Sequence, residues 1–538
     1  MVRRVWQPLI VVAAFAALTA LMTWPQVLHL SSRATPHQDV YFNMWRLRWF
    51  AHAIASSPSR LFDANIFYPE KRTLALSDAM FVEGLLGAPL TWLGLKPMLV
   101  HNLMLLGAIA LSGAAIFALV RYLTGSRGAG LVAGIVFCFA PYRFEHYMHM
   151  ELQWAMWSPL AFLALHRAFD TGQWRFGLAA GACVALQMLS SIYYGMFLSV
   201  LIGVGAILLF ARDRKAAAPH VTRVMAAGAV LAAIVCALYA RPYVRTHERV
   251  GDRPLEELSM FRATSASYTS ATSGNWLYGD TANRGGAERH LFPGLTPLFL
   301  MIAGLLLNVP GRRPIAYVLL LVAAFEMSFG LRGYLYSFLY DFVPPFRGLR
   351  AAARLGIFVL LFLGVLAGYG YAALVANRPR TWRMTVLSLC TAALLIEYRT
   401  TLLLAEYVNE PAPIYKMLAR QPRGIVAEIP APRLDKLPGS DPEYAYMSTF
   451  HWFPMVNGYS GYYPASYLER LDRLHTFPSE RAMNQLRHDN VQYVILHTGQ
   501  YQPTVVNEIR SRIIRDGLLI EIAEFNALDG LAVLYRMR

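Results

Sequence analysis

Four groups of residues have types and spacings that could do chemistry. The first is Asp39, in the stretch 36–49 (PHQDVYFNMWRLRW), just past the first apolar run. A carboxylate placed there could take a proton from a hydroxyl group if a substrate reaches it, which is the work of a general base. It could equally be a solvated loop acid or the cap of the adjoining helix. That helix carries Trp45 and Trp49 at i, i+4 beside Arg46 and Arg48, a pattern suited to lying on a bilayer surface.

The second group is 141–154 (PYRFEHYMHMELQW). If this stretch is one helix, Tyr142, His146, His149 and Gln153 share a face, flanked by Glu145 and Glu151. Ionisable groups at membrane depth are expensive and usually face a wet cavity. Substrate binding, an interfacial hydrogen-bonding stripe and a metal site on the two histidines all fit. The third group is 344–354 (PPFRGLRAAAR), where Arg347, Arg350 and Arg354 fall three and four apart. On a helix they would share one face, and a helix start with arginines above it suits an anion. The plausible anion is a lipid phosphate, and simple snorkelling to headgroups is the alternative. The fourth is 189–195 (LSSIYYG), whose Tyr193 and Tyr194 either line the same cavity or form a tight turn.

The elements that must position these groups are membrane helices. Of the 538 residues 56% are hydrophobic and 15% charged, with a mean hydropathy of +0.37. A soluble domain carries about 25% charged residues, so the expected fold is a polytopic α-helical membrane protein. Apolar runs lie at 6–24, 99–121, 129–141, 153–168, 175–191, 193–211, 223–241, 295–309, 314–330, 352–375 and 384–404, about eleven spans. The short run 129–141 is expected to continue as helix past residue 141. Residues 84–95 are apolar but too short to cross, so a re-entrant or interfacial piece is expected. The net charge of +16 does not gather on one soluble face, which argues against nucleic acid as a partner. The four cysteines, Cys138, Cys183, Cys236 and Cys390, all sit in apolar runs, so no disulfide framework is implied.

Basic residues in short loops set orientation. Arg3 and Arg4, Arg121 and Arg127, Arg167 and Arg175, 212–215, Arg312 and Arg313, and 378–383 fall on alternate sides. The N-terminus is thereby cytoplasmic, and the long connections 25–98, 242–294 and 331–351 face outward with the tail 405–538. The membrane domain is expected at 1–404 and a soluble α/β domain at 405–538, on the outer face. In the tail, 424–430 and 491–497 read as buried strands, 467–474 and 505–515 as amphipathic helices, and 517–537 as two strands. Its aromatic run, Tyr444, Tyr446, Trp452, Tyr459, Tyr462, Tyr463 and Tyr467, reads first as core and second as a sugar-stacking surface. Loop 242–294 reads as a mobile lid, with no residue separable from solvated charge. No P-loop, dinucleotide fingerprint, zincin motif or nucleophile elbow is present.

The first-loop acid, the large first outer loop, the His/Glu segment after the third span and the outer tail together resemble the GT-C superfamily of membrane glycosyltransferases. More closely, QDVYFNMWRLRW, LFDANIFYP, FAPYRFEHYMHMELQW, LSSIYYG, PFRGLRAAARLGIF and HWFPMVNGYSGYYP resemble a group of large bacterial GT-C-like membrane proteins. The resemblance implies inverting transfer of a sugar from a polyprenyl-phosphate donor to a cell-envelope glycan, lipid or protein, on the outer face of the cytoplasmic membrane. It makes Asp39 the base and Arg347, Arg350 and Arg354 the holders of the donor phosphate. Glu145, His146, His149 and Glu151 fall where some members place a second acid. Many members pair two acids in the first loop. Here His37 and Gln38 precede Asp39 with no acid adjacent, which argues against a divalent metal, and no other cofactor is implied. A flippase for lipid-linked glycans and a non-catalytic assembly partner are the rival expectations. A transporter would more often show repeated halves, and none is visible.

Overall fold

The computed structural model describes residues 2–210, 219–307, 311–527 and 530–538. The basic loop 212–215 and the last residues of the runs 193–211 and 295–309 lie outside them. The chain divides into two units. The first comprises 1–30, 102–240 and 252–404; the second comprises 31–101, 241–251 and 405–538. The tail therefore does not stand alone, because residues 31–101 group with it rather than with the helices.

The apolar runs of the first unit are helices. Among the described residues four helical segments are long and apolar enough to cross a membrane: Pro97–Thr124, Ile192–Leu209, Pro219–Val250 and Ala352–Leu374. Gln7–Met22 and Leu295–Leu306 are shorter apolar helices. Helix Gly356–Leu374 is the axis of this unit, buried without interruption from Gly356 to Tyr371. It packs against Arg127–Phe139, Leu295–Leu306 and Arg312–Ser328. Small residues permit the approach: a Cβ on Gly370 would lie 1.8 Å from the Leu300 carbonyl oxygen. Helix Trp174–Ser190 uses the same device, since a Cβ on Gly181 would lie 2.0 Å from the Gly228 oxygen.

Helix Arg127–Phe139 does not run on. It stops at Ala140, and Pro141 opens a separate five-residue helix, Pro141–Glu145. Proline has no N–H to continue the ladder but suits a first turn. The stretch 252–294 is folded as short turns tied to one another and to the last helix, rather than as a loose lid. Leu291 N donates to Ser267 O, Ser270 Oγ to Thr281 O, and Asn275 Nδ2 to Glu397 O.

The second unit is α/β. Its four-stranded sheet has the order Ile425–Ile429, Val491–His497, Gly530–Met537, Leu519–Ala527, with the first pair parallel and the others antiparallel. Helices Ala465–Leu474 and Pro503–Arg515 form as expected and contribute Leu471, Leu474, Ile509 and Ile513 to the same core, with Asp441–Ser448 and Glu480–His488 beside them. A second small pairing ties Arg33–Ala34 to Ala405–Glu406. Helix Gln38–Ser56 is part of this core, not a surface helix. Val40, Trp45 and Phe50 have no exposure, and Arg46 is 3% exposed. Trp45 Nε1 donates to Asn65 Oδ1 and Trp49 Nε1 to Leu61 O, so both indoles have internal partners. Tyr444, Tyr446 and Tyr467 of the aromatic run are buried in the same core. Helix Phe81–Trp92 keeps an open apolar side, with Leu85 and Leu86 half exposed.

Candidate functional site

Asp39 lies in the first turn of helix Gln38–Ser56, where the His37 side chain caps the helix by accepting from Asp39 N. The helix dipole favours an anion at this end. Asp39 is 8% exposed. The Tyr459 hydroxyl donates to its Oδ1 at 2.6 Å, and His37 Nδ1 stands 3.6 Å from Oδ2. Burial pushes the Tyr459 phenol far above its ordinary value and the Asp39 carboxylate adds to the rise, so Tyr459 stays a donor at any ordinary pH. Two turns on, Arg46 donates to Asn43 Oδ1 and to Asp78 O. The site is thus a carboxylate oriented by a phenol.

The first unit gathers the other three sequence groups around an acid that sequence reasoning passed over. Glu288, in a left-handed conformation with φ 61°, accepts from Arg354 Nε at 2.8 Å and Nη2 at 3.0 Å. Arg350 Nη2 is 3.8 Å from the same carboxylate. Burial pushes the Glu288 carboxyl up, but the Arg354 guanidinium beside it outweighs burial and holds it well below the usual range. Glu145 supports this loop from beneath. It accepts from Glu288 N at 3.0 Å and lies 2.7 Å from His290 Nδ1. Arg354 also lies over the Tyr193 ring at 4.5 Å, and Arg350 N donates to the Tyr193 hydroxyl. The Tyr142 hydroxyl bonds to that of Tyr194 at 3.0 Å and donates to Arg354 O.

Two geometric expectations fail. The arginines do not share a helical face. Residues Pro344–Gly348 and Ala352–Leu355 are separate 3-10 turns with extended backbone between them, and the regular helix begins only at Gly356. Arg347 turns away to donate to Tyr340 O and Asp341 O. Nor is 142–153 one helix. His146 ends the first piece and Met150–Gln153 forms another. The side chains still meet, because Gln153 Nε2 donates to Arg143 O and His146 O, and Arg143 donates to Leu152 O and Gln153 O. His146 and His149 face each other, Nδ1 to Nδ1, at 3.3 Å. Burial holds the His146 imidazole well below its ordinary value, so it is neutral at pH 7. Glu151 is buried in the same segment. Among the described residues no group of three or more His, Cys, Asp or Glu side chains is arranged to hold a metal ion.

Sequence reasoning missed Glu288 because it stands among many other ionisable residues of loop 242–294. The usable signal was the set of three arginines within 347–354, which contains no acid to balance them. Tyr459 stands in a run dense in aromatics, and nothing local marks it as the partner of Asp39.

Neither a family profile nor a curated protein sequence matches the chain. Solved structures do. The arabinofuranosyltransferase AftD from Mycobacteria matches 98% of this chain with a TM-score of 0.62 at 14% identity, and the chain spans 40% of that protein's length. The Archaeoglobus fulgidus oligosaccharyltransferase matches 91% of this chain and 69% of its own, with a TM-score of 0.51 at 13% identity. The chain has a GT-C-like fold.

Proposed function

We propose that this chain is an inverting glycosyltransferase of a bacterial cytoplasmic membrane, moving a sugar from a polyprenyl-phosphate donor to an envelope glycan, lipid or protein on the outer face. The observation that carries the reading is Asp39: a buried, phenol-oriented carboxylate in the first loop of a chain with a GT-C-like fold. AftD is by name a glycosyltransferase, which supports the reaction class.

In this reading Asp39 takes the proton of the acceptor hydroxyl as its oxygen bonds to the anomeric carbon. The bond from that carbon to the donor phosphate breaks on the opposite side, which inverts the centre. Polyprenyl phosphate leaves as the anion and needs no proton, so the second requirement is positive charge. Arg350 is assigned that charge, and Arg354, already paired with Glu288, is assigned to the same donor pocket with Tyr193 against both. Arg347 is assigned a lesser part, since its guanidinium is spent on two carbonyls. Tyr142, Tyr194, Glu145, His146, His149, Glu151 and Gln153 are assigned to shaping the donor or acceptor pocket.

The test is label transfer. The purified full chain in nanodiscs is given a panel of undecaprenyl-phosphoryl sugars labelled in the sugar, with envelope extract as acceptor. Wild type is expected to move label, and Asp39→Asn to lower turnover by about 10²–10⁴-fold while native mass spectrometry still finds undecaprenyl phosphate bound. Equal turnover in Asp39→Asn removes the base. Movement of intact donor across a bilayer without sugar transfer replaces the reading with a flippase.

A further inference from the structure

We propose that Tyr459 is a positioning residue for Asp39, and that the backbone as it turns from buried Asn457 and Gly458 into Tyr459 aims it. The inference rests on the assignment of Asp39 as the base. Tyr459 and Asp39 lie 420 residues apart in sequence, yet their side chains meet at 2.6 Å. A hydroxyl donating to a carboxylate at that length is a strong, charge-assisted bond. The Tyr459 ring also stands edge-on to Phe42, 5.0 Å away and one helical turn after Asp39. The phenol is therefore fixed both to the acid and to the helix that carries it.

The turn behind it is built from polar groups that a mere packing role would not need. Asn457 is 1% exposed and both ends of its amide are bonded: Oδ1 accepts from Glu428 N, and Nδ2 donates to Glu428 O and Asp441 Oδ1. Its carbonyl accepts from Phe67 N. The Gly458 backbone hydrogen-bonds Asp441, and a Cβ on Gly458 would lie 2.7 Å from the Phe67 ring. Asp441 itself has no exposure and also accepts from Tyr467. Beneath them Glu428 pairs with His497 at 2.7 Å, and Tyr444 stacks on that imidazole. Buried polar groups cost desolvation unless every bond is made. Here they converge on one backbone turn, and the side chain that leaves it ends on Asp39.

The bond has a direction. A hydroxyl donated to the ionised carboxyl stabilises the ionised form. Tyr459 therefore holds Asp39 charged to lower pH and fixes its rotamer, and removing the hydroxyl must raise the acid's titration midpoint.

The experiment titrates Asp39 directly in the full chain in nanodiscs, with no substrate. The infrared carboxyl band is followed against pH, and Asp39→Asn is subtracted to isolate the one acid. Tyr459→Phe keeps the ring on Phe42 and is expected to raise the midpoint by about one pH unit, a tenfold change in ionisation. Asp441→Asn, which loosens the turn without touching Asp39, is expected to move it in the same direction and serves if Tyr459→Phe does not fold. A midpoint unchanged from wild type in whichever variant folds overturns the proposal. The base assignment fails separately, by undiminished label transfer in Asp39→Asn, which leaves the midpoint shift standing as a bond without that role.

Discussion

Glu288 and Arg354 are both buried, and each is the other's main compensation. Removing one partner of such a pair leaves a charge without an anchor, which costs about 3–5 kcal/mol. Glu288→Gln is expected to lower the thermal midpoint sharply, while Arg347→Gln, whose guanidinium is held by two carbonyls and lies over the Tyr340 ring, shifts it little. The pH dependence follows from the sign. The folded Glu288 titrates below its ordinary 4.5 because the cations outweigh burial. Its contribution is full above that value and is lost as pH falls toward the folded one. Melting curves of wild type taken below about pH 5 should lose stability that Glu288→Gln has already lost. Asp441 has the opposite sign. Burial raises it from 3.8 to about 7, against hydrogen bonds from Tyr467, Asn457 and Gly458, with Glu428 adding to the rise. The folded chain then holds a proton that the unfolded chain has released, so stability falls as pH rises from about 4 to about 7. Asp441→Asn is expected to flatten that slope in denaturation followed at several pH values, and an unchanged slope would assign the titration to another group.

At the scale of elements, the helix Gln38–Ser56 shows where reading by pattern ends. Trp45, Trp49, Arg46 and Arg48 look like an interfacial set, because tryptophan beside arginine is what a membrane surface selects. The same residues suit a core when another segment supplies partners for the indoles and guanidinia. Here that segment is far away in sequence. Asn65 receives Trp45 and donates onward to Ser448 Oγ and Phe453 O, and Arg48 donates to Thr449 O and lies over the Phe450 ring. The tail is thus the other half of the first loop's core. Deleting 405–538 should leave Val40, Phe42 and Trp45 uncovered. The outcome to look for is rapid cleavage within 31–101 under limited proteolysis, where the full chain resists. Asn65→Ala is the milder form of the same test. Its buried partners lose their bonds at about 1–3 kcal/mol, so cleavage should begin at lower denaturant. The arginine stretch teaches the same lesson locally. Spacing of three and four implies one face only if the backbone is helical, and Pro344 and Pro345 open isolated turns instead.

The molecule as a whole was most legible where physics is most local. Apolar runs with a helical length appear as helices, and the strand and helix pattern of the tail was readable from alternation and turns. Which segments share a core was not readable, because that depends on pairings such as Arg33–Ala34 with Ala405–Glu406, set by no neighbouring residue. Orientation is the part of the molecule that the proposed reaction depends on most, since a lipid-linked donor on the outer face requires Asp39 and the tail to be there. The basic loops make a prediction that needs no substrate. In a variant with Cys138, Cys183, Cys236 and Cys390 replaced, single cysteines at Ser126, Gln173 and Pro379 should resist a membrane-impermeant maleimide in intact cells. Cysteines at Gln421 and Gln502, in the tail, should label at once. Permeabilising the membrane should then expose the first set. The reverse pattern would put the tail and Asp39 in the cytoplasm, where a donor presented on the outer face cannot reach them, and the transfer chemistry would have to be assigned to that side.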